Sequence, residues 1–240
     1  MSDHRHSRAE LIAAFILGAL LSPPAIEAQP LIGLEPCRIA DLEGLTSTAA
    51  RCGRLEVPED PADPQGPKIR LAIAVVPAVA TRAKPDPLFL VAGGPGQGSI
   101  QGFAPLLGAF AGVRRERDLV LVDQRGTGDS NRLDCDMPDD VLESGEIPPA
   151  ELAALARDCL PGLPGRPQFY TTSIAVGDLD AVRAALGYER INVFGGSYGT
   201  RVAQHYARRH PERTRTVVLD GVVPPTLALV PQIAIESQRA

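Results

Sequence analysis

The sequence has few of the residues that usually hold metal ions. Its 240 residues include four cysteines, none in a C-x-x-C pair, and four histidines, of which only His205 and His210 lie beyond residue 6. These two are five positions apart, so they would not share one face of a helix. Structural zinc sites need closely spaced cysteine and histidine ligands. The sequence therefore predicts no metal site.

Nucleotide-binding motifs are missing as well. The glycine-rich stretches 93–98 and 126–128 do not continue as G-x-G-x-x-G, and neither leads into Gly-Lys-Ser/Thr. Pro95 also removes an amide donor from the first stretch. We interpret 93–98 as a loop that turns backbone amides toward a cavity, with a plain turn as the alternative. No cofactor is expected.

An excess of positive charge is absent, and so is an apolar run long enough to span a bilayer. The net charge is −5, which gives no reason to expect nucleic acid or an anionic membrane as a partner. Near the amino terminus, Arg5 and Arg8 precede the apolar stretch 11–21, and Ala28 offers a small residue for cleavage. We predict a signal peptide over 1–28, export to the periplasm or beyond, and no stable membrane insertion after cleavage. An uncleaved anchor is the alternative.

The four cysteines all lie in the part that would be exported. An even number in an oxidising compartment predicts two disulfides, for which the sequence permits three pairings. We favour the neighbour pairing, Cys37–Cys52 and Cys135–Cys159, because it would staple two loop-rich stretches.

Short apolar runs alternate with helical patterns through most of the chain. This alternation predicts an α/β fold with a mostly parallel, doubly wound sheet. Residues 29–86 form an amino-terminal region of loops and strands, in which 68–76 is a long strand near a sheet edge, and 87–240 form the core. Strands are predicted at 88–91, 118–122, 191–194 and 216–219, and helices at 150–159, 172–187 and 200–207.

One stretch carries a specific chemical signal. Gly195-Gly196-Ser197-Tyr198-Gly199 stands between an apolar run and a helical pattern, the context in which G-x-S-x-G forms a nucleophile elbow. The sharp turn requires strained backbone at the serine and small neighbours around it. The alternative is a glycine-rich turn whose serine only caps the helix.

A polar loop follows the predicted strand 118–122. Its residues Asp123 and Arg125 would lie at the carboxyl edge of a parallel sheet, where α/β proteins place their sites. Either could act in catalysis. We favour an internal ion pair between them that supports the loop beside the nucleophile.

Several motifs occur in one order along the chain. They are Gly93-Gly94-Pro95-Gly96, Asp123-Gln124-Arg125-Gly126-Thr127-Gly128, the elbow, His210-Pro211-Glu212 and Val217-Val218-Leu219-Asp220-Gly221. This order closely resembles the α/β-hydrolase serine exopeptidases of the prolyl iminopeptidase and tripeptidyl aminopeptidase family, above all its secreted branch. The resemblance implies that Ser197 is the nucleophile and that the amides of Gly94 and Tyr198 form the oxyanion hole. Many relatives have a histidine where this chain has Ala92.

A serine nucleophile of this kind acts with an acid and a histidine, and the sequence identifies these two residues less clearly than the serine. In α/β hydrolases the acid and then the histidine come after the serine. His205 would lie about 12 Å along the helix from Ser197, and His210 suits a helix carboxyl terminus. Asp220 is a possible acid in a variant arrangement. The resemblance implies that acid and base follow a cap that begins near Ala240, so we expect an α/β-hydrolase fold truncated before its cap and last strands. Such a chain would expose apolar surface and be poorly soluble or molten.

The sequence thus predicts an exported serine hydrolase that releases short peptides or residues from a substrate with a free amino terminus. An esterase is the alternative within catalysis. A catalytically incomplete α/β-hydrolase-like binding protein is the alternative outside it.

Overall fold

The computed structural model describes residues 32–41, 44–135 and 148–227. The predicted signal peptide and the start of the predicted cap beyond residue 227 lie outside these ranges. The helices described are α1 Ser99–Phe103, α2 Ala111–Arg114, α3 Pro149–Cys159, α4 Thr172–Ala185 and α5 Tyr198–Arg209, with 3-10 turns at Ala104–Phe110, Leu160–Gly162, Pro167–Phe169 and Pro211–Arg213.

The described strands form one mixed sheet in the order β1-β2-β3-β5-β4-β6-β7. The half from β5 to β7 is parallel and carries the elbow, whereas β1, β2, β3 and β5 pair antiparallel. The parallel strands β4 and β5 are four-residue apolar runs buried along their whole length, as expected for strands covered on both faces. The strands are β1 Glu35–Ala40, β2 Ser47–Pro58, β3 Lys68–Val76, β4 Leu88–Val91, β5 Leu119–Val122, β6 Ile191–Gly196 and β7 Thr214–Asp220.

The amino-terminal region contains more sheet than the sequence predicts. The strand predicted near a sheet edge at 68–76 is β3, the third strand from the edge, because β1 and β2 lie outside it. Along β2, exposed and half-buried residues prevail and only Ala50 and Val57 are buried. This half-polar pattern is typical of strands far from the core, and it gives a weak hydrophobic signal.

Each face of the sheet is covered by a different segment. Helices α4 and α5 cover one face, where Val176, Val182 and Tyr206 are fully buried. The segment 99–114 packs on the other face through Phe103 and Leu107. Burying an aliphatic or aromatic side chain of this size contributes about 1.5–3 kcal/mol, so these two layers hold the parallel strands that position the site.

Both disulfides join sequence neighbours. Cys37–Cys52 ties β1 to β2, and Cys135–Cys159 ties the end of α3 to the loop after β5, with Cα–Cα distances of 5.8 and 5.6 Å. The favoured pairing is confirmed.

Candidate active site

Ser197 lies at the sharp turn between β6 and α5. Its backbone has φ 51° and ψ −122°, a conformation that only a strongly constrained non-glycine residue adopts. The side chain makes no capping hydrogen bond to the first turn of α5. The interpretation of Ser197 as a helix cap is therefore wrong, and the residue lines a cleft together with Gly94 and Asp220.

Two glycines of the elbow are required by close backbone contacts. A Cβ atom at Gly195 would lie 2.3 Å from the carbonyl oxygen of Gly199, and one at Gly199 would lie 2.2 Å from the carbonyl oxygen of Val91. Real Cβ atoms do not approach backbone this closely. At Gly196 the nearest atom would be Cε1 of Phe194, at 3.9 Å. The strand, the turn and the helix thus pack backbone against backbone at 195 and 199, while 196 opens toward the cleft.

The glycine-rich loop after β4 lies directly beside Ser197. A Cβ atom at Gly93 would be 2.9 Å from Cβ of Ser197, and Gly94 has φ 102°. Gly94 and Ser197 line the same cleft, and Tyr198 supplies the first amide of α5. The structure therefore brings together the three residues that the sequence predicts for the nucleophile and the oxyanion hole.

Side-chain hydrogen bonds hold the loop and the helices next to it. The Ala92 amide donates to Oγ of the buried Ser99 at 3.1 Å, which fixes the start of the loop. The hydroxyl groups of Tyr198 and Thr172 are 2.5 Å apart. This contact ties the start of α5 to the start of α4.

Asp123 is buried and does not pair with Arg125. Its carboxylate accepts the amides of Ile100 at 2.9 Å and Asp129 at 3.0 Å. A Cβ atom at Gly128 would lie 2.1 Å from Oδ2 of Asp123, so the loop 123–130 wraps around this carboxylate. Burial raises the pKa of Asp123 despite the amide donors. The residue ties the polar loop to the start of α1.

Arg125 makes its ion pair with Asp178 of α4. The guanidinium donates from Nε at 2.6 Å and from Nη2 at 2.8 Å to the two carboxylate oxygens. It also donates to the carbonyl groups of Glu59 and Phe169 at 2.7 and 2.9 Å. The predicted Asp123–Arg125 ion pair is wrong, because backbone amides already satisfy Asp123 and the longer arginine side chain reaches the helix behind the loop.

Asp220 reaches the site through its backbone. Its carbonyl oxygen accepts the amide of Ser197 at 2.8 Å, and the residue lines the same cleft. A Cβ atom at Gly221, which has φ 67°, would lie 3.8 Å from the Cα and the amide nitrogen of Ser197. The end of β7 is thus packed against the elbow.

The histidines of the described ranges lie elsewhere. His205 is on α5, where burial and the charges of Arg208 and Arg209 lower its pKa. His210 follows the end of α5, and its ring lies 5.1 Å from that of Tyr206. Neither lines the cleft that contains Ser197.

The described residues contain neither a metal-binding cluster nor a membrane-spanning helix. No cluster of three or more His, Cys, Asp or Glu in these ranges is arranged to hold a metal ion. No helix there has the length and apolar character needed to cross a membrane.

Comparison with known proteins identifies the family. The family described as "alpha/beta hydrolase fold" matches residues 86–237. The chain belongs to this family. The hydrolase fold expected from the order of motifs is confirmed.

This α/β hydrolase is similar to several curated peptidases. It is 32% identical over 220 residues to "Serine protease Hip1" of Mycobacterium tuberculosis, with 82% of this chain and 41% of the relative covered. It is 32% identical over 192 residues to "Tripeptidyl aminopeptidase" of Streptomyces lividans, covering 73% of this chain and 36% of the relative. A 52-residue segment is 48% identical to "Proline iminopeptidase" of Xylella fastidiosa, covering 22% and 17% of the two chains. The predicted resemblance is confirmed, and the chain spans about 40% of the length of the first of these relatives.

In this hydrolase, sequence reasoning missed Asp178 as a partner of the site loop. The residue is 8% exposed in α4, beside an apolar stripe that the sequence does show. A carboxylate next to such a stripe is a weak signal of a buried partner, and only the fold identifies Arg125, 53 positions away, as that partner.

Proposed function

We propose that Ser197 is the nucleophile of an exported serine aminopeptidase that releases short peptides or single residues from a free amino terminus. The observation that carries the proposal is the strained backbone of Ser197, whose hydroxyl makes no capping hydrogen bond and which lines a cleft. Relatives named as a serine protease and a tripeptidyl aminopeptidase support the peptidase class. The basic and apolar amino terminus and the two disulfides support export.

In the proposed reaction, Ser197 Oγ attacks the carbonyl carbon of the peptide bond, the C–N bond breaks, and the leaving amine receives the proton that a base took from the serine. Water then hydrolyses the acyl-enzyme and releases the acyl group as a carboxylate. The amides of Gly94 and Tyr198 donate to the oxyanion, and donors of this kind contribute about 3–4 kcal/mol of transition-state stabilisation. The packing of Gly93 against Ser197 holds the donor loop close to the nucleophile. A base must take the serine proton. We place the histidine outside the described ranges and keep Asp220 as a candidate acid.

The test is the full-length gene product with Ser197→Ala and, as a matched control, Ser173→Ala at an exposed position of α4. We expect Ser197→Ala to lower the release of naphthylamine from a tripeptidyl-naphthylamide by roughly 10⁴-fold or more, and Ser173→Ala to leave it unchanged. Acetylating the substrate's amino terminus should abolish cleavage.

The alternatives give different outcomes. Hydrolysis of nitrophenyl esters without cleavage of either peptide would identify an esterase. Failure of a fluorophosphonate to label Ser197, detected by mass spectrometry, would favour a binding protein.

A further inference from the structure

The loop 92–98 carries the proposed oxyanion donor Gly94, but its own backbone holds it only weakly. Inside the loop, the Gln97 amide donates to the Gly93 carbonyl at 3.4 Å, which is a long hydrogen bond. Gly94 and Gly96 both have positive φ, and glycine is the residue with the most backbone freedom to lose on folding. The position of the Gly94 amide therefore depends on what holds the two ends of the loop.

The carboxylate of Asp123 holds the far end. Its Oδ1 accepts the amide of Ile100 at 2.9 Å, just after the loop, and a Cβ atom at Gly98 would lie 2.9 Å from the same oxygen. Burial raises the pKa of this carboxyl, and the amides of Asp129, Ile100 and Ser99 oppose that effect. Asp123 thus lies against the chain at three successive positions, 98, 99 and 100.

The start of the loop is held at the same place. Oγ of Ser99 accepts the amide of Ala92 at 3.1 Å, and Ser99 is fully buried. The two ends of the loop therefore meet at Ser99, beside the Asp123 carboxylate. A shift of this carboxylate would move both ends and displace Gly94 between them.

Asp123 can fix the loop because its own backbone is fixed to β3. Its amide donates to the carbonyl of Ala72 at 3.1 Å. The hydroxyl of Ser130 donates to the Asp123 carbonyl at 2.7 Å and accepts the Ala72 amide at 2.8 Å. All three residues are buried, where hydrogen bonds are stronger than in water. The carboxylate is thus joined to the middle of the sheet independently of the loop that it holds.

We infer that Asp123 is a positioning residue for the oxyanion hole: its carboxylate fixes the loop 92–98 and so holds the Gly94 amide where the oxyanion forms. The inference rests on the proposed function, in which that amide is a donor. Asp123 is not among the residues that line the cleft of Ser197, so it acts through the loop and does not touch the substrate. A displacement of about 1 Å in such a group costs roughly 100-fold in rate.

The first test is Asp123→Asn in the full-length gene product. Asparagine keeps one acceptor oxygen but presents an NH2 group in place of the other, so the amide of either Ile100 or Asp129 loses its partner. We expect kcat for a tripeptidyl-naphthylamide to fall roughly 10- to 100-fold. KM should stay within about twofold, because an oxyanion donor acts mainly in the transition state.

A transition-state analogue and a matched control sharpen this test. Ser197 would add to the carbonyl carbon of a tripeptidyl trifluoromethyl ketone without a leaving group, which puts the ketone oxygen in the oxyanion hole. Affinity for this ketone should fall by the same factor as kcat in Asp123→Asn. Asp134→Asn removes a carboxylate that is 63% exposed and pairs with Arg132 at 2.8 Å, and it should change neither kcat nor the affinity.

A second variant disturbs the same contact without removing a polar group. The backbone of Gly98 has φ −68° and ψ 137°, which alanine adopts without strain. The methyl group of Gly98→Ala would lie 2.9 Å from Oδ1 of Asp123 and 3.0 Å from Cα of Gly128. It should lower kcat about three- to tenfold at unchanged KM. Gly112→Ala, where no atom lies near an added Cβ, should not, and thermal unfolding of each variant shows that it is folded.

Amide hydrogen exchange measures the positioning without any activity. In folded Asp123→Asn, peptides covering 92–100 should exchange about tenfold faster or more than in the wild type, while peptides covering β6 should not change. If this difference is present but Ser197→Ala cleaves as fast as the wild type, the proposed function fails and the fixing of the loop by Asp123 remains. Unchanged exchange over 92–100 overturns the inference. So does an unchanged kcat, or a rise in KM alone, in folded Asp123→Asn of an enzyme that Ser197→Ala inactivates.

Discussion

The two ends of the parallel strands are held by different interactions. At the carboxyl end, the elbow and the loop after β4 meet through glycines, with Gly199 against the backbone of Val91 and Gly93 against Ser197. At the amino end, charged side chains join neighbouring strands and helices. Asp86 accepts from Arg117 at 3.0 Å and from Arg215 at 2.7 Å.

A second charged cluster, centred on Asp180, continues the amino end. Its carboxylate accepts from Arg183 at 2.7 Å and from the Tyr206 hydroxyl at 3.1 Å, and it also pairs with Arg213. Backbone packing leaves no freedom at the carboxyl end, where a reaction needs fixed donors, while side-chain pairs at the amino end can relax. Substitutions should therefore act through steric contact at one end and through charge at the other.

Arg125 lies at the carboxyl end but is held by an ion pair, unlike the glycine contacts there. Removing its charge should give the largest loss in the free energy of unfolding. Its side chain is 1% exposed, and Arg125→Met would leave Asp178 buried without its cation. Breaking a buried pair in this way costs about 3–5 kcal/mol. We expect a loss of this size in the free energy of unfolding, measured with denaturant.

The matched control is the double variant Arg125→Met/Asp178→Leu, which should recover much of the loss because no charge is left buried. Burial already raises the pKa of Asp178 in the wild type, against the opposing effect of Arg125. In Arg125→Met the folded state should hold the Asp178 proton still more tightly, so the variant should gain stability as pH falls. A double variant as unstable as the single one would show that the pair is not the cause.

The contrast between the two ends also explains what the sequence could predict. The elbow was predictable because its strand, turn glycines and helix are contiguous in the chain. The pair of Arg125 with Asp178 was not, because the two residues are 53 positions apart and Asp178 lies on a helix whose pattern shows only the apolar stripe.

Strands β1 and β2 were missed for a different reason. Their side chains are half polar because these strands lie away from the core. The base that the proposed reaction needs is also not identified, since neither His205 nor His210 lines the cleft that contains Ser197.

Steric contact at the elbow should produce the next largest effect. Gly199→Ala would force a methyl group into the backbone of Val91, and overpacking of this kind costs about 1–3 kcal/mol. Gly196→Ala at the neighbouring glycine has open space around it and should change the free energy of unfolding by less than about 0.5 kcal/mol. Equal losses in the two variants would contradict the assignment of the constraint to backbone packing.

The smallest effect should come from the amino end. Burial alone would raise the pKa of Asp180, but the hydrogen bond and charge of Arg183, with the charges of His210 and Arg213, outweigh it and lower the pKa below its ordinary value of 3.8. Its stabilising contribution is therefore present above that value and is lost as pH falls through the lower pKa of the folded state.

We expect Asp180→Asn to cost about 1–2 kcal/mol at pH 7, with the gap to wild type closing below about pH 3.8. Asp158→Asn, at an exposed carboxylate of α3, should show neither the loss nor the convergence. If Asp180→Asn instead slowed the labelling of Ser197 by a fluorophosphonate under conditions where the variant is fully folded, the two ends of the sheet would be coupled. The amino end would then affect more than stability, which would contradict the separation between steric contacts at one end and charge at the other.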